Sequence, residues 1–132
     1  MSNHIQAKFC WAAIGAMAIV VVGSTLSISG QAQTTGKHGR ELFDKRCGGC
    51  HALDRDKEGP RLGGVYGRAA GTVASFQYSG PLQKSKITWT DETLDKWLTD
   101  PEKLVPDSDM AFHVDSVDER REIISFLKSS GK

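Results

Sequence analysis

Cys47-Gly48-Gly49-Cys50-His51 carries the strongest chemical signal in this chain. Paired thiols with two residues between them, followed at once by histidine, form the attachment signature of c-type haem. Each thiol can add to one vinyl group of the porphyrin, and the short intervening chain matches the separation of those vinyls. His51 is then placed to offer its imidazole to the iron as proximal ligand. Gly48 and Gly49 put no side chain between the two thioethers, so the backbone can lie against the macrocycle edge. The other readings of such a motif are a redox dithiol, half of a zinc site, or chance. Zinc would need two further soft or imidazole ligands at matching spacing. The remaining candidates are Cys10, inside an N-terminal apolar run, and His4, His38 and His113. A thioredoxin-like dithiol belongs in a βαβ pattern, and nothing here alternates that way.

A length of 132 residues suits one domain. Hydrophobic residues make up 39%, low for a compact core unless a buried haem supplies part of the apolar mass. The formal net charge of +1 argues against nucleic acid as a partner, because a basic footprint is missing. With Cys47 and Cys50 committed to haem, Cys10 has no partner for a structural disulfide.

The N-terminal region reads as an export signal. Lys8 is a weakly basic start, Phe9–Val22 is nearly continuous apolar sequence, and residues 23–33 turn small and polar. Gly30-Gln31-Ala32 offers a small-x-small cleavage site. Residues 1–32 are therefore expected to be a signal peptide and residues 33–132 the haem domain, exported to the periplasm. Cys10 lies near the start of the apolar run, not at its end, which disfavours a lipoprotein anchor. Left uncleaved, Phe9–Ile28 would be just long enough to span a bilayer, although Ser24, Thr25 and Ser27 dilute it. Membrane association is expected only in that case. Cleavage removes Lys8 and no acid, leaving acids and bases equal in number.

Residues 36–46 predict a short helix leading into the motif, with Gly39, Leu42 and Phe43 on one face. A glycine on a buried face costs helix propensity and marks close approach of another backbone. From Arg61 to Ser85 glycine is frequent and neither helical nor strand periodicity persists. Such a long irregular segment is expected if it wraps a cofactor whose apolar faces stand in for a protein layer. Thr90-Asp91-Glu92 begins another helix, with Thr90 as N-cap and Leu94, Trp97 and Leu98 on its buried face. Asp100-Pro101 opens a short turn that Val105-Pro106 stops. Ser116-Val117-Asp118-Glu119 has the pattern of a capping box before a last helix with Ile123, Ile124 and Leu127 as its stripe. The first helix is its natural packing partner. Outside residues 1–32 the sole methionine is Met110, in the polar stretch Pro106-Asp107-Ser108-Asp109. It reads either as an iron ligand or as a gap-filling core residue, and His113 is the rival ligand.

From Gly39 to Leu127 the chain resembles the class I cytochromes c, the small carriers that include mitochondrial cytochrome c and bacterial cytochrome c2. The matching elements keep the family order: Gly39 and Phe43, the Cys47–His51 motif, Gly59-Pro60-Arg61-Leu62, Gly67-Arg68, Phe76-Gln77-Tyr78, Ile87-Thr88-Trp89-Thr90, Pro101, Pro106 and Met110. The resemblance implies an all-α fold in which N- and C-terminal helices cross and loops wrap one haem c, held covalently through Cys47 and Cys50. It implies His51 and Met110 as axial ligands, with the Pro60 carbonyl fixing the His51 ring. It also implies that Tyr78 and Trp89 bond a haem propionate while Arg68 offsets its charge. Trp97 stands where mitochondrial members usually carry a tyrosine near the methionine, so its indole N–H would donate to a different point. Phe112 matches an aromatic that shields the haem edge.

The implied function is that of a monomeric electron carrier, not an enzyme, with no catalytic residue. Its implied partners are transient redox proteins: a cytochrome bc1-type complex, a terminal oxidase or a periplasmic dehydrogenase. Three departures from the family pattern stand out. The His51–Pro60 segment is shorter than in mitochondrial members. Leu82 replaces a usual asparagine. Asp107, Asp109 and Glu102 replace a glycine and two lysines, thinning the lysine ring used to dock acidic oxidases. An open-iron peroxidase or sensor, a subunit dedicated to one dehydrogenase, and a haem-free dithiol module are the rival readings.

Overall fold

Gly39 sets how the two ends of the fold meet. The computed structural model describes residues 30–131. Within them α1 (Gly30–Arg46) and α5 (Val117–Ser129) make the most extensive helix–helix contact. A Cβ on Gly39 would lie 2.5 Å from the Glu122 carbonyl oxygen and 2.9 Å from Phe126 Cβ, so the missing side chain is what lets the backbones close. Leu42 and Phe43 of α1 and Ile123, Ile124 and Leu127 of α5 are buried around that point. Each such side chain contributes about 1.5–3 kcal/mol by leaving water. The Phe43 and Phe126 rings tilt together at 5.4 Å.

The helix α1 is longer than residues 36–46, reaching back to Gly30 through Gln31, Ala32 and Gln33, which carry good helix propensity. The apolar run Phe9–Val22 and Cys10 lie outside the described residues. Among the described residues no helix is long and apolar enough to cross a membrane.

The segment after His51 runs without regular structure to Ser79, as the sequence suggested, but α2 (Gly80–Lys84) forms one short turn with Pro81 near its start. Its flanks are drawn together by an isolated antiparallel bridge between Ala69 and Thr88. Around that bridge Gly67 N–H donates to Trp89 O (2.7 Å), Trp89 N–H to Arg68 O (3.0 Å) and Ala70 N–H to Ile87 O (2.8 Å). No other β pairing occurs among the described residues.

The helix expected from Thr90 is α3 (Asp91–Thr99), with Leu94, Trp97 and Leu98 buried. Its capping box is completed by Thr93, whose Oγ1 accepts the Thr90 amide at 2.8 Å while Thr90 Oγ1 accepts the Thr93 amide at 3.3 Å. The short α4 (Pro101–Leu104) follows, capped by Asp100, whose carboxylate accepts from Lys103 N–H at 3.0 Å. At α5 only half of the expected box forms. Ser116 Oγ accepts the Glu119 amide at 3.3 Å. The Glu119 carboxylate instead turns across to α1 and takes a fork from Arg46 at 2.9 and 3.1 Å. A bidentate guanidinium is the stronger partner for a carboxylate, and it ties the two terminal helices at the base of the Cys47 motif.

Candidate functional site

Between these elements lies a cavity of about 390 Å³ with largely apolar walls. All the site residues expected from sequence, from Cys47 to Met110, line it.

On the motif side, the chain turns tightly as α1 ends: Cys50 and His51 amides both donate to Cys47 O, at 3.1 and 2.8 Å. His51 Nδ1–H donates to Pro60 O at 2.8 Å. With that nitrogen engaged, the ring's free lone pair is on Nε2, the atom left to bind a metal. Burial holds the imidazole below its usual pKa, the Pro60 bond opposes this, and the nearby Lys57 ammonium adds to it. The neutral, ligating form is therefore favoured. Gly59 has a separate task. Any Cβ there would occupy the space of the His51 ring, so glycine is required for the imidazole to stand where it does. Cys47 and Cys50 are not joined in a disulfide. Burial pushes the Cys47 thiol up to about 11. A buried thiolate is penalised, whereas a thioether carries no charge and escapes that cost.

Met110 sits in the polar segment after α4, not on an apolar stripe. Trp97 Nε1–H donates to its Sδ at 3.2 Å. That is the target the sequence left open for the indole. Two interactions hold the segment's flanks: Asp107 N–H donates to Glu102 Oε1 at 3.0 Å, and Val114 N–H to Leu98 O at 2.7 Å. Asp107 adopts a left-handed φ of 59°, tolerable for aspartate but without the freedom of the family's usual glycine. His113, the rival ligand, does not line the cavity and has its side chain 57% exposed, 3.5 Å from Asp115.

A third group closes the far end. Arg68 donates to Gly63 O at 3.2 Å and Arg61 O at 3.0 Å, and burial is the main effect lowering its pKa. Tyr78, whose phenol is raised chiefly by burial, and Trp89 share that wall. Ser79 was not anticipated. Its hydroxyl is buried on the cavity lining with no partner, and nothing but its position after Tyr78 could have flagged it. Leu82 lines the same wall where a polar residue was the family expectation. Phe112 lines the mouth while remaining 44% exposed.

These features fit haem. The walls are apolar, two unbridged thiols and a Pro60-bonded imidazole line them, a thioether is held by an N–H, and an orphaned hydroxyl shares the lining with an arginine and a tyrosine. An acidic acceptor such as a propionate would satisfy Ser79.

The family model for cytochrome c matches residues 36–131. Cytochrome c of Euglena viridis is 40% identical over 96 residues, covering 70% of this chain and 94% of the relative. Cytochrome c2 iso-2 of Magnetospirillum molischianum is 41% identical over 86 residues, 63% of this chain and 89% of the relative. Among solved structures, cytochrome cH from Methylobacterium extorquens superposes with a TM-score of 0.67 at 34% identity, covering 71% of this chain and 97% of that one.

Proposed function

The chain belongs to the cytochrome c family, a family of haem electron carriers, and on that premise we propose that His51 and Met110 would hold the haem iron with which it carries single electrons between redox proteins. As in the rest of the family, haem c is attached through the paired thiols, here Cys47 and Cys50. When bound, the haem supplies one iron that alternates between Fe(II) and Fe(III).

Everything else is the work of this chain. Pro60 fixes the tautomer and orientation of His51, and Gly59 makes room for the ring. Trp97 orients the Met110 sulfur and draws electron density from it. With both His51 and Met110 given to holding the iron, electron transfer would call for no catalytic residue. The apolar walls disfavour the additional positive charge of the oxidised state and so favour reduction. Tyr78, Ser79 and Trp89 would donate to the propionates, and the Arg68 guanidinium would offset their charge. Electrons would pass beside Cys50 and Phe112, which line the cavity and are exposed to solvent. A bc1-type complex, a terminal oxidase or a periplasmic dehydrogenase would meet this edge in small, transient contacts. The basic start, apolar run and small-x-small stretch of residues 1–32 support export to the periplasm.

One observation carries the reading: the Trp97 N–H rests on Met110 Sδ in the same cavity as the Pro60-bonded His51. The optical spectrum of the oxidised holo-protein tests it. A weak far-red band from sulfur-to-Fe(III) charge transfer is expected, and Met110→Ala should abolish it. A red, folded protein without that band would refute Met110 ligation.

A further inference from the structure

Electron carriage leaves one buried charge unexplained. Arg120, in the first turn of α5, is 6% exposed and is the one buried charged residue among the described residues. Its Nε–H donates to Asp95 Oδ1 at 2.7 Å, and Nη1 donates to the carbonyls of Val114 (2.8 Å) and Asp115 (2.9 Å). Those carbonyls are the C-terminal stem of the Met110 segment. Asp95 lies on α3, close before Trp97, whose indole meets the sulfur. A single guanidinium thus ties α5 to α3 and to the stem of the ligand-bearing segment.

We propose that the Asp95–Arg120 pair is a positioning device that sets how readily Met110 leaves the iron; the inference rests on Met110 being the ligand. The physical reason is the cost of an unmet buried donor. A desolvated guanidinium is tolerated only while its N–H groups have partners. Withdrawing Met110 pulls the Val114 and Asp115 carbonyls away, while Asp95 keeps Arg120 where it is. The N–H groups left behind are then buried and unpaired, which raises the cost of opening. The segment's other ties, Glu102 on the Asp107 amide, Leu98 on the Val114 amide and Trp97 on the sulfur, are common to wild type and to any variant of the pair, so the contribution of Arg120 can be read separately. Removing Asp95 frees Arg120 to swing out with the stem, so opening no longer strands it.

Imidazole binding to the oxidised holo-protein, followed by stopped flow, reads this directly. At saturating imidazole the rate is limited by opening of the Met110 segment. Asp95→Ala should raise that limiting rate about tenfold or more, and Asp95→Asn by less, since it keeps an acceptor for Nε. The Asp95 side chain is 47% exposed, so its removal leaves no core cavity. Arg120→Lys, which keeps the charge and loses the planar fork, should behave like Asp95→Ala. Asp91→Asn is the control: it weakens the surface tie among Tyr66, Asp91 and Lys128 without touching the segment. Its limiting rate should match wild type even if its urea midpoint falls. An unchanged rate in Asp95→Ala, or an equal acceleration in Asp91→Asn, would overturn the inference while the far-red band of wild type keeps the ligation reading intact. A wild type lacking that band would overturn both.

Discussion

The two flanks of the cavity are built on different principles. Around His51 the holding is done by backbone: Gly59 N–H to Cys50 O, Leu62 N–H to Ala52 O and Gly63 N–H to Leu53 O, all at 2.8–2.9 Å, with Pro60 O on the imidazole. Around Met110 one backbone bond, Val114 N–H to Leu98 O, is joined by three side-chain ties: Trp97 on the sulfur, Glu102 on the Asp107 amide, Arg120 on the stem carbonyls. Backbone bonds survive most substitutions. Side-chain bonds do not. The His51 side is therefore fixed by glycine and proline positions, while the Met110 side is where single substitutions can adjust the chemistry.

The most damaging test of that contrast is Gly59→Ala. One methyl group placed in the space of the His51 ring should cost about 1–3 kcal/mol by overpacking. It should appear as a lower urea midpoint at unchanged slope, together with loss of the protected Nδ1–H resonance of His51. Wild-type stability in that variant would mean the backbone cage is looser than its hydrogen bonds imply. On the Met110 side, Trp97→Phe removes the N–H and some volume, a loss of about 1–2 kcal/mol. The freed sulfur becomes a better donor to Fe(III), so the reduction potential should fall, measured by redox titration of the holo-protein. No change in potential would show that the indole only fills space. The smallest effect is expected from Asp56, a side-chain element on the backbone-held flank. Its carboxylate accepts from Arg61 N–H at 2.8 Å and Ser75 Oγ–H at 2.6 Å. The Ser75 bond, then the Arg61 amide, hold its pKa below the usual aspartate value. A depressed carboxylate stabilises above its unfolded pKa and stops doing so as pH falls through the folded one. Thermal midpoints of wild type and Asp56→Asn should differ at neutral pH and converge in acid. A gap that persists in acid would assign the effect to packing.

What the sequence disclosed and what it hid divide along the same line. Local signals were legible because their meaning lies within a few residues: the Cys47–His51 motif, the Thr90 and Ser116 caps, the Pro101 start, the Gly39 gap. The ligand set and the Pro60 contact came through resemblance, and the geometry is compatible with both. Pairings across the fold were not legible. Arg46 and Glu119 stand 73 positions apart, and nothing near Glu119 says that it will abandon its own helix cap for α1. Nothing in the sequence marks Arg120 for burial, because its burial is decided by α3 and the Met110 stem arriving from elsewhere. Trp97 read as a core aromatic with an undefined donor, since the position of a sulfur in a polar loop has no periodicity to betray it.

The bridge between Ala69 and Thr88 has a consequence for water. By pairing its own ends, it makes the intervening segment a flap, tied to its neighbours through Ser75 on Asp56 and Arg61, and this flap supplies Phe76, Tyr78 and Ser79 to the cavity wall. Such a unit can lift while α1 and α5 stay docked, at a cost below that of global unfolding. Amides within the flap are then expected to exchange with solvent ahead of those in the two terminal helices, as hydrogen exchange would show.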